Sequence, residues 1–181
     1  MRETQRLALR LFRDRGFTTV TVEEIASELQ MAASTIYRHF GTKENLVLWD
    51  EHDPAIEAAL GQRLGSEPPL AAIRDAFIET LADLYADDLD FQLDRISYIF
   101  ETPELHAAAV EADFRARHEL TVALTSVLPK ADREAAPILA GAALLALDAA
   151  MDRWQSGKGR PSLTTCIERA FATVADLGSI G

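Results

Sequence analysis

The sequence predicts an all-α protein, with a small helical head followed by a longer helical body. Apolar residues recur at helical spacing along nearly all of the 181 residues. The chain is 48% hydrophobic and 26% charged, the usual mix of a soluble globular protein with a core of its own. Glycine and proline residues separate the apolar stripes, so we expect about nine helices, near residues 3–15, 22–29, 33–39, 43–64, 69–86, 89–101, 104–128, 132–156 and 162–178.

The first three helices are short and closely connected, whereas the later ones are long. This change places a domain boundary after residue 45, giving a head of residues 1–45 and a body of residues 46–181. Residues 1–49 carry seven basic and six acidic side chains, whereas the whole chain has a net charge of −11. Because neutralisation of phosphates dominates DNA affinity, only the head is suited to nucleic acid.

The head has the signals of two short helices joined by a tight turn. Gly16 ends the first helix, as a C-terminal glycine does. Thr21 precedes Glu24 by three residues, the spacing of a capping box that opens the second helix. In the third helix, Ile36 and Phe40 are four residues apart and therefore share a buried face.

The opposite face of that third helix is polar and carries Ser34, Thr35, Arg38 and His39. Two short helices and a polar outer face describe a helix-turn-helix, whose second helix enters the major groove of DNA. Lys43 opens the next helix, where an ammonium and backbone N–H groups suit a phosphate.

One block of the head is specific to a known family. The block runs from Thr35 to Phe40 and is followed by Lys43, Glu44 and Leu46; the pairs Leu11-Phe12, Gly16-Phe17, Thr21-Val22 and Ile25-Ala26 precede it. With these residues, positions 7–49 resemble the head of the TetR (tetracycline-repressor, AcrR) family of bacterial regulators. The resemblance implies an all-helical homodimer that binds a palindromic operator in double-stranded DNA and is released by a small molecule.

The resemblance also implies roles for individual residues. Those that match the family's phosphate contacts are Thr21, Tyr37, His39 and Lys43; those at positions that meet base edges or the nearby backbone are Ala33, Ser34, Thr35 and Arg38. The sequence departs from the family at two positions of the turn, where Gln30 replaces a small residue and Ala32 replaces a serine. The missing serine removes a helix cap.

In the body, residues 135–147 form an apolar run that we expect to be buried nearly all round. The run is shorter than the roughly 18 residues of a membrane span, so no membrane partner is expected. Two C-terminal helices from each subunit would make a four-helix dimer interface, which the resemblance favours over an intramolecular core. The residues assigned to this interface are Leu139, Ala143, Leu147, Trp154, Ile167, Phe171 and Val174.

The central helices, 69–128, are rich in aromatic residues, and the resemblance implies a ligand cavity among them. The residues assigned to it are Phe77, Leu81, Tyr98 and Phe114, with Arg95 and Arg117 to hold an anionic group. Ion pairs within the body are the alternative role for these arginines. Residues 95–105 and 152–154 are similar to a TetR branch that senses acyl-coenzyme-A-like molecules. This likeness implies a long amphipathic anion as effector.

No catalytic, cofactor or metal motif is found in the sequence, including P-loop, GxGxxG, GxSxG and HExxH patterns. The single cysteine, Cys166, allows no internal disulfide, which fits the cytoplasm. We therefore expect a regulator and not an enzyme. Two alternatives stay open: a helical enzyme without a recognisable motif, and an interaction module whose head no longer binds DNA.

Overall fold

The computed structural model describes residues 1–49 and 53–176. Within these ranges every regular element longer than a single β-bridge is helical, as expected for an all-α protein. The ten α-helices are α1 (Arg2–Arg15), α2 (Val22–Glu28), α3 (Ala33–Phe40), α4 (Asn45–Leu48), α5 (Asp53–Arg63), α6 (Pro69–Asp87), α7 (Leu89–Glu101), α8 (Pro103–Val127), α9 (Ala136–Ser156) and α10 (Leu163–Asp176). A 3₁₀ helix, Lys130–Ala135, precedes α9.

The chain forms two compact units. The first contains Met1–Asp50 together with Asp94–Val110, and the second contains Glu51–Leu93 together with Glu111–Gly181. The first unit thus includes the predicted head, residues 1–45, and in the structure we call residues 1–49 the head. The return of residues 94–110 to the first unit has no counterpart in the prediction.

The first unit is organised around α1 and the helices that pack on it. α1 contacts both α2 and α4, and α2 contacts α3. The fully buried side chains include Phe12, Ile25, Ile36 and Leu46, one from each of these helices. Each helix contributes one apolar face to a shared core, which leaves the other face of α3 to solvent.

The second unit is built on close packing between α9, α10 and α6. α9 presents a row of small buried residues to its neighbours, which are Ala136, Ala140, Ala143, Ala146 and Ala150. Their small side chains allow neighbouring helices to approach closely. The turn after α9 requires glycine at position 157, because a Cβ there would lie 2.0 Å from the Arg160 carbonyl oxygen.

One expectation about the helix boundaries is wrong. The helix expected over residues 43–64 is interrupted, because Trp49 is extended (φ −61, ψ 126) and ends α4. Pro54 lies in the first turn of α5, where a missing N–H costs no hydrogen bond. The expected helix also crosses residues 50–52, and that expected over 162–178 crosses 177 and 178; these positions lie outside the described residues.

The apolar run 135–147 is not buried all round, contrary to expectation. Ile138 is 72% exposed and Leu145 is 67% exposed. In the described part of the chain, Lys130–Ser156 is the one segment long and apolar enough to cross a membrane, judged by length and composition alone. The reason for the error is that the alanines on one side of α9 fill its packing contacts, so its larger apolar side chains are left outside.

Candidate nucleic-acid interface

The second helix of the head begins at the predicted capping box. The Thr21 hydroxyl accepts a hydrogen bond from the Glu24 N–H at 3.2 Å, and the Thr21 N–H donates to the Glu24 carboxylate at 2.8 Å. Arg15 donates to the other carboxylate oxygen at 2.8 Å. Arg15 is the largest cause of the lowered pKa of Glu24, and the Thr21 N–H adds to it. The start of α2 is therefore fixed to the end of α1.

The turn between α2 and α3 is a Schellman motif with glutamine at its left-handed position. Gln30 has φ 55, and its N–H donates to the Ser27 carbonyl at 3.1 Å. The Met31 N–H donates to the Ala26 carbonyl at 2.9 Å. These two bonds satisfy carbonyl groups at the end of α2. A left-handed backbone favours glycine, so the Cβ of Gln30 is unfavourable at this position.

α3 carries the predicted DNA-reading residues on its outer surface. Ile36 is 1% exposed and Phe40 is 2% exposed, so this face of α3 lies in the core of the head. Of the remaining side chains, Ser34, Tyr37, Arg38 and His39 are exposed, whereas Ala33 and Thr35 are half-buried. A short helix anchored on one side and polar on the other can enter a major groove.

The N-terminal end of α3 lacks a side-chain cap. Ala32 occupies the cap position with an extended backbone (φ −76, ψ 136), and no side chain there bonds to the helix. The Thr35 N–H donates to the Ala32 carbonyl at 2.9 Å. The structure therefore has the geometry of a cap without the hydroxyl that would complete it.

Two predicted phosphate contacts have partners inside the head. The Lys43 ammonium donates to the Phe17 carbonyl and lies 4.4 Å from the centroid of the Phe17 ring. Desolvation lowers the pKa of Lys43. The His39 ring packs edge-on against Trp49, with centroids 4.8 Å apart. A phosphate contact by Lys43 would have to form beside these contacts or replace them.

Sequence reasoning missed the residues that hold the end of α3. The Asn45 side chain donates to the Phe40 carbonyl at 2.7 Å, and its N–H donates to the Thr42 hydroxyl at 3.3 Å. Trp49 contacts the Phe40 ring at 5.5 Å between centroids. The glycine at position 41 is the sequence signal that the chain turns here, and in the structure its φ is 75.

The residues assigned to the ligand cavity lie in different surroundings. In the second unit Phe77 and Leu81 are buried, and the Phe77 ring lies 6.2 Å from that of Phe171. Phe114 is 63% exposed, with the Arg117 guanidinium 5.2 Å from its ring centroid. Phe114 therefore faces solvent and does not line an enclosed cavity within the chain.

Arg95 and Tyr98 belong to the first unit and contact the backbone of the head. The Arg95 guanidinium donates to the Val47 carbonyl at 3.4 Å and to the Trp49 carbonyl at 3.3 Å. The Tyr98 hydroxyl donates to the Phe12 carbonyl at 3.0 Å. Both contacts connect the head to α7. Arg95 and Tyr98 are therefore engaged with the backbone, whereas the sequence assigns them to a ligand cavity.

The residues assigned to the dimer interface are mainly internal. Ala143, Trp154, Ile167 and Phe171 are at most 2% exposed within one chain, and Leu139, Leu147 and Val174 are half-buried. Ala143, Trp154, Ile167 and Phe171 thus lie in the core of one chain, which is the alternative to a dimer interface. A side chain already enclosed by its own subunit has no surface to offer a partner. Exposed Ile138 and Leu145 lie on the other side of α9.

Among the residues that the structure describes, no group of three or more His, Cys, Asp and Glu side chains could hold a metal ion.

In the second unit, the carboxyl group of Asp148 has a strongly shifted pKa. Desolvation, and then the charge of Asp113, raise the pKa of Asp148 to about 6. These two carboxylates do not by themselves constitute a catalytic or metal centre.

Comparison with known proteins is consistent with this geometry. Residues 6–48 match bacterial regulatory proteins of the tetR family, and residues 67–177 match the MftR C-terminal domain. The HTH-type transcriptional regulator TcmR of Streptomyces glaucescens is 37% identical over 87 residues, which are 47% of this chain and 38% of TcmR. The chain thus aligns with less than half of that regulator's length.

One solved structure shows a similar fold, and a second gives a weaker match. Thermus thermophilus FadR, a TetR family transcriptional repressor crystallised in complex with lauroyl-CoA, superposes with a TM-score of 0.54 at 22% identity, covering 96% of this chain and 92% of FadR. The TetR family regulator PfmR, also from Thermus thermophilus, has a TM-score of 0.43 at 18% identity, covering 94% of this chain and 96% of PfmR. Because the C-terminal match alone extends over more than half of the sequence and the N-terminal match covers the helix-turn-helix, this chain belongs to the tetR family of bacterial regulatory proteins.

Proposed function

We propose that this chain is a DNA-binding transcriptional regulator, acting as a homodimeric repressor on a palindromic operator. The observation that carries the proposal is α3, which buries Ile36 and Phe40 in the head and exposes Ser34, Tyr37 and Arg38. Hydroxyl and guanidinium groups are donors for base edges and phosphates. Family membership supports the same conclusion.

The contribution of α3 is tested by measuring affinity for a selected DNA duplex across a salt series. If Arg38 reads a base, Arg38→Ala weakens binding by about 1–3 kcal/mol and relaxes preference at one base pair; if it contacts a phosphate, the salt slope falls by about 1. Arg160→Ala is the matched control, because Arg160 is exposed and lies in the second unit. Equal affinity and slope for Arg38→Ala and the native chain would contradict the assignment.

The exposed apolar residues of the second unit support the dimer. Phe114 on α8 and Ile138 and Leu145 on α9 are each more than 60% exposed. Ile138 and Leu145 are seven residues apart on α9 and therefore share one face, and exposed apolar side chains grouped on one face are characteristic of an interface. We place the second copy here, replacing the internal residues assigned from sequence.

Leu145→Asp tests this interface by sedimentation velocity. We expect the variant to be monomeric at concentrations where the native chain is a dimer, with unchanged helical circular dichroism. Ala131→Asp is the control, since Ala131 is exposed in the 3₁₀ helix before α9. A Leu145→Asp variant that remains dimeric would exclude this face.

We propose that the effector is an amphipathic anion of the acyl-coenzyme-A class. We also propose that the regulator acts in the cytoplasm. The support for this effector class is the sequence likeness over residues 95–105 and 152–154, the apolar side chains of Phe77 and Leu81, and the exposed guanidinium of Arg117. The FadR complex contains lauroyl-CoA, which makes that compound the natural first probe. Native mass spectrometry should detect one lauroyl-CoA per subunit, and the DNA complex should dissociate. No complex at high micromolar ligand would exclude this class.

The two alternative functions predict other outcomes. An interaction module with an inactive head would show no salt-dependent binding to any duplex. A helical enzyme would show turnover in broad hydrolase or transferase assays. Neither alternative is supported by an arrangement of side chains in the described residues.

A further inference from the structure

Arg13, near the end of α1, contacts three residues of α7: Asp94, Tyr98 and Glu101. Its guanidinium donates to the Glu101 carboxylate at 2.5 Å and lies 2.8 Å from the Asp94 carboxylate. It also donates to the Asp94 carbonyl at 3.0 Å and lies 4.7 Å from the centroid of the Tyr98 ring. All four contacts lie within the first unit. One side chain thus engages about two turns of α7.

A buried hydrogen bond lies beside these ion pairs. The Tyr98 hydroxyl donates to the Phe12 carbonyl, which also accepts the Gly16 N–H at 2.8 Å. Tyr98 is 7% exposed, and desolvation raises its pKa, so it is a neutral donor at physiological pH. The last turn of α1 is therefore held by α7 through both a charged and a buried neutral contact.

The same stretch of α7 also contacts the other end of the head. Arg95 donates to the carbonyls of Val47 and Trp49, where α4 ends. The Gln5 side chain from α1 donates to that Trp49 carbonyl at 2.9 Å. Residues 94–101 therefore contact both α1, on which α2 packs, and the segment that leaves the head.

Residues 94–101 of α7 belong to the first unit, together with α1 and the helices of the head. We propose that Arg13 is a positioning residue for DNA binding, which couples the head to residues 94–101 of α7. The proposal rests on the proposed DNA-binding function.

Coupling between two sites is reciprocal. If a conformation of α7 that withdraws Asp94 and Glu101 from Arg13 weakens DNA binding, then DNA must stabilise residues 94–101. These residues would respond to DNA although α2 and α3 are the proposed reading helices. A role for Arg13 in stability alone would not produce that response.

The test is hydrogen exchange by mass spectrometry on the full chain, with and without a DNA duplex obtained by selection from random sequence. In the native chain, DNA should slow amide hydrogen exchange both in residues 22–40 and in residues 94–101. We expect a slowing of at least about fivefold, which is the lower bound of a typical coupling between two sites. In Arg13→Gln, slowing in 22–40 should remain, whereas slowing in 94–101 should disappear. Arg13→Lys keeps one charge and should show an intermediate response.

Arg15→Gln is the matched control. Arg15 is two residues away and pairs with Glu24 inside the head, so its loss should leave the response of residues 94–101 intact. Persistent slowing of 94–101 in Arg13→Gln would overturn the role of Arg13. Slowing confined to 22–40 in the native chain would overturn the coupling. Absence of slowing in 22–40 would overturn the proposed function and, with it, this inference.

Discussion

Restoring the missing cap of α3 should stabilise the head. Ala32 already has the extended backbone of a cap residue, so Ala32→Ser supplies a hydroxyl without moving the chain. Thr21 shows the completed arrangement at the start of α2, with its hydroxyl 3.2 Å from the Glu24 nitrogen. A cap of this type contributes about 1 kcal/mol. For a chain of this length that corresponds to a rise in Tm of about 2–4 °C.

The assay is thermal and urea unfolding at one protein concentration, because the proposed dimer would make Tm depend on concentration. Thr21→Ala is the matched reverse change and should lower the free energy of unfolding by about 1 kcal/mol. If Thr21→Ala destabilises the protein while Ala32→Ser leaves it unchanged or less stable, the cap geometry assigned to Ala32 is refuted. An increase in DNA affinity for Ala32→Ser would show that the added order extends to the reading helix.

Three further predictions concern single side chains. Gln30→Gly should raise the free energy of unfolding by about 1 kcal/mol, because glycine adopts the left-handed conformation at φ 55 without a Cβ penalty; a decrease in urea unfolding would contradict this. Tyr98→Phe should lower the free energy of unfolding by about 1 kcal/mol, because the Phe12 carbonyl then keeps only the Gly16 N–H as donor; unchanged stability would contradict this contribution. Asp148 binds its proton more tightly in the folded than in the unfolded chain, so its contribution to stability falls as pH rises from 3.8 to about 6. Asp148→Asn should remove that fall and be more stable at pH 7.5 by about 1 kcal/mol after allowance for solvent exposure; equal pH slopes for variant and native chain would refute the assignment.

The parts of the head that sequence predicts best are those determined by near neighbours. The capping box of Thr21 and Glu24 and the buried pair Ile36 and Phe40 follow from spacings of three and four residues. These spacings are fixed by the helix repeat and need no knowledge of the rest of the chain. The structure has both features where the sequence places them.

Contacts between distant residues were not visible in the sequence. Arg13 meets Glu101 across 88 positions, and Lys43 meets Phe17 across 26. Periodicity identifies which face of a helix is buried, but it does not identify what that face or its charged edge will meet. Arg95 was for this reason assigned to a ligand, whereas it contacts the backbone at the end of α4.

The burial of α9 was misjudged for a related reason. Apolar residues occur on all faces of α9. Composition alone therefore does not distinguish the side that packs within the chain from the side that stays exposed. Ala140 and Ala143 are fully buried, whereas the larger Leu145 is exposed. Small residues permit the closest approach of helices, and the intramolecular contacts therefore select the alanine side.

The most direct test of the central claim is footprinting of selected DNA by the native chain across a salt series. We expect protection of a palindrome whose half-sites lie about one helical turn apart, roughly 34–36 Å, with affinity that falls steeply as salt rises. Selection from random sequence that yields no protected site at low salt, with a folded and dimeric protein, would contradict the claim that this chain binds an operator through α3.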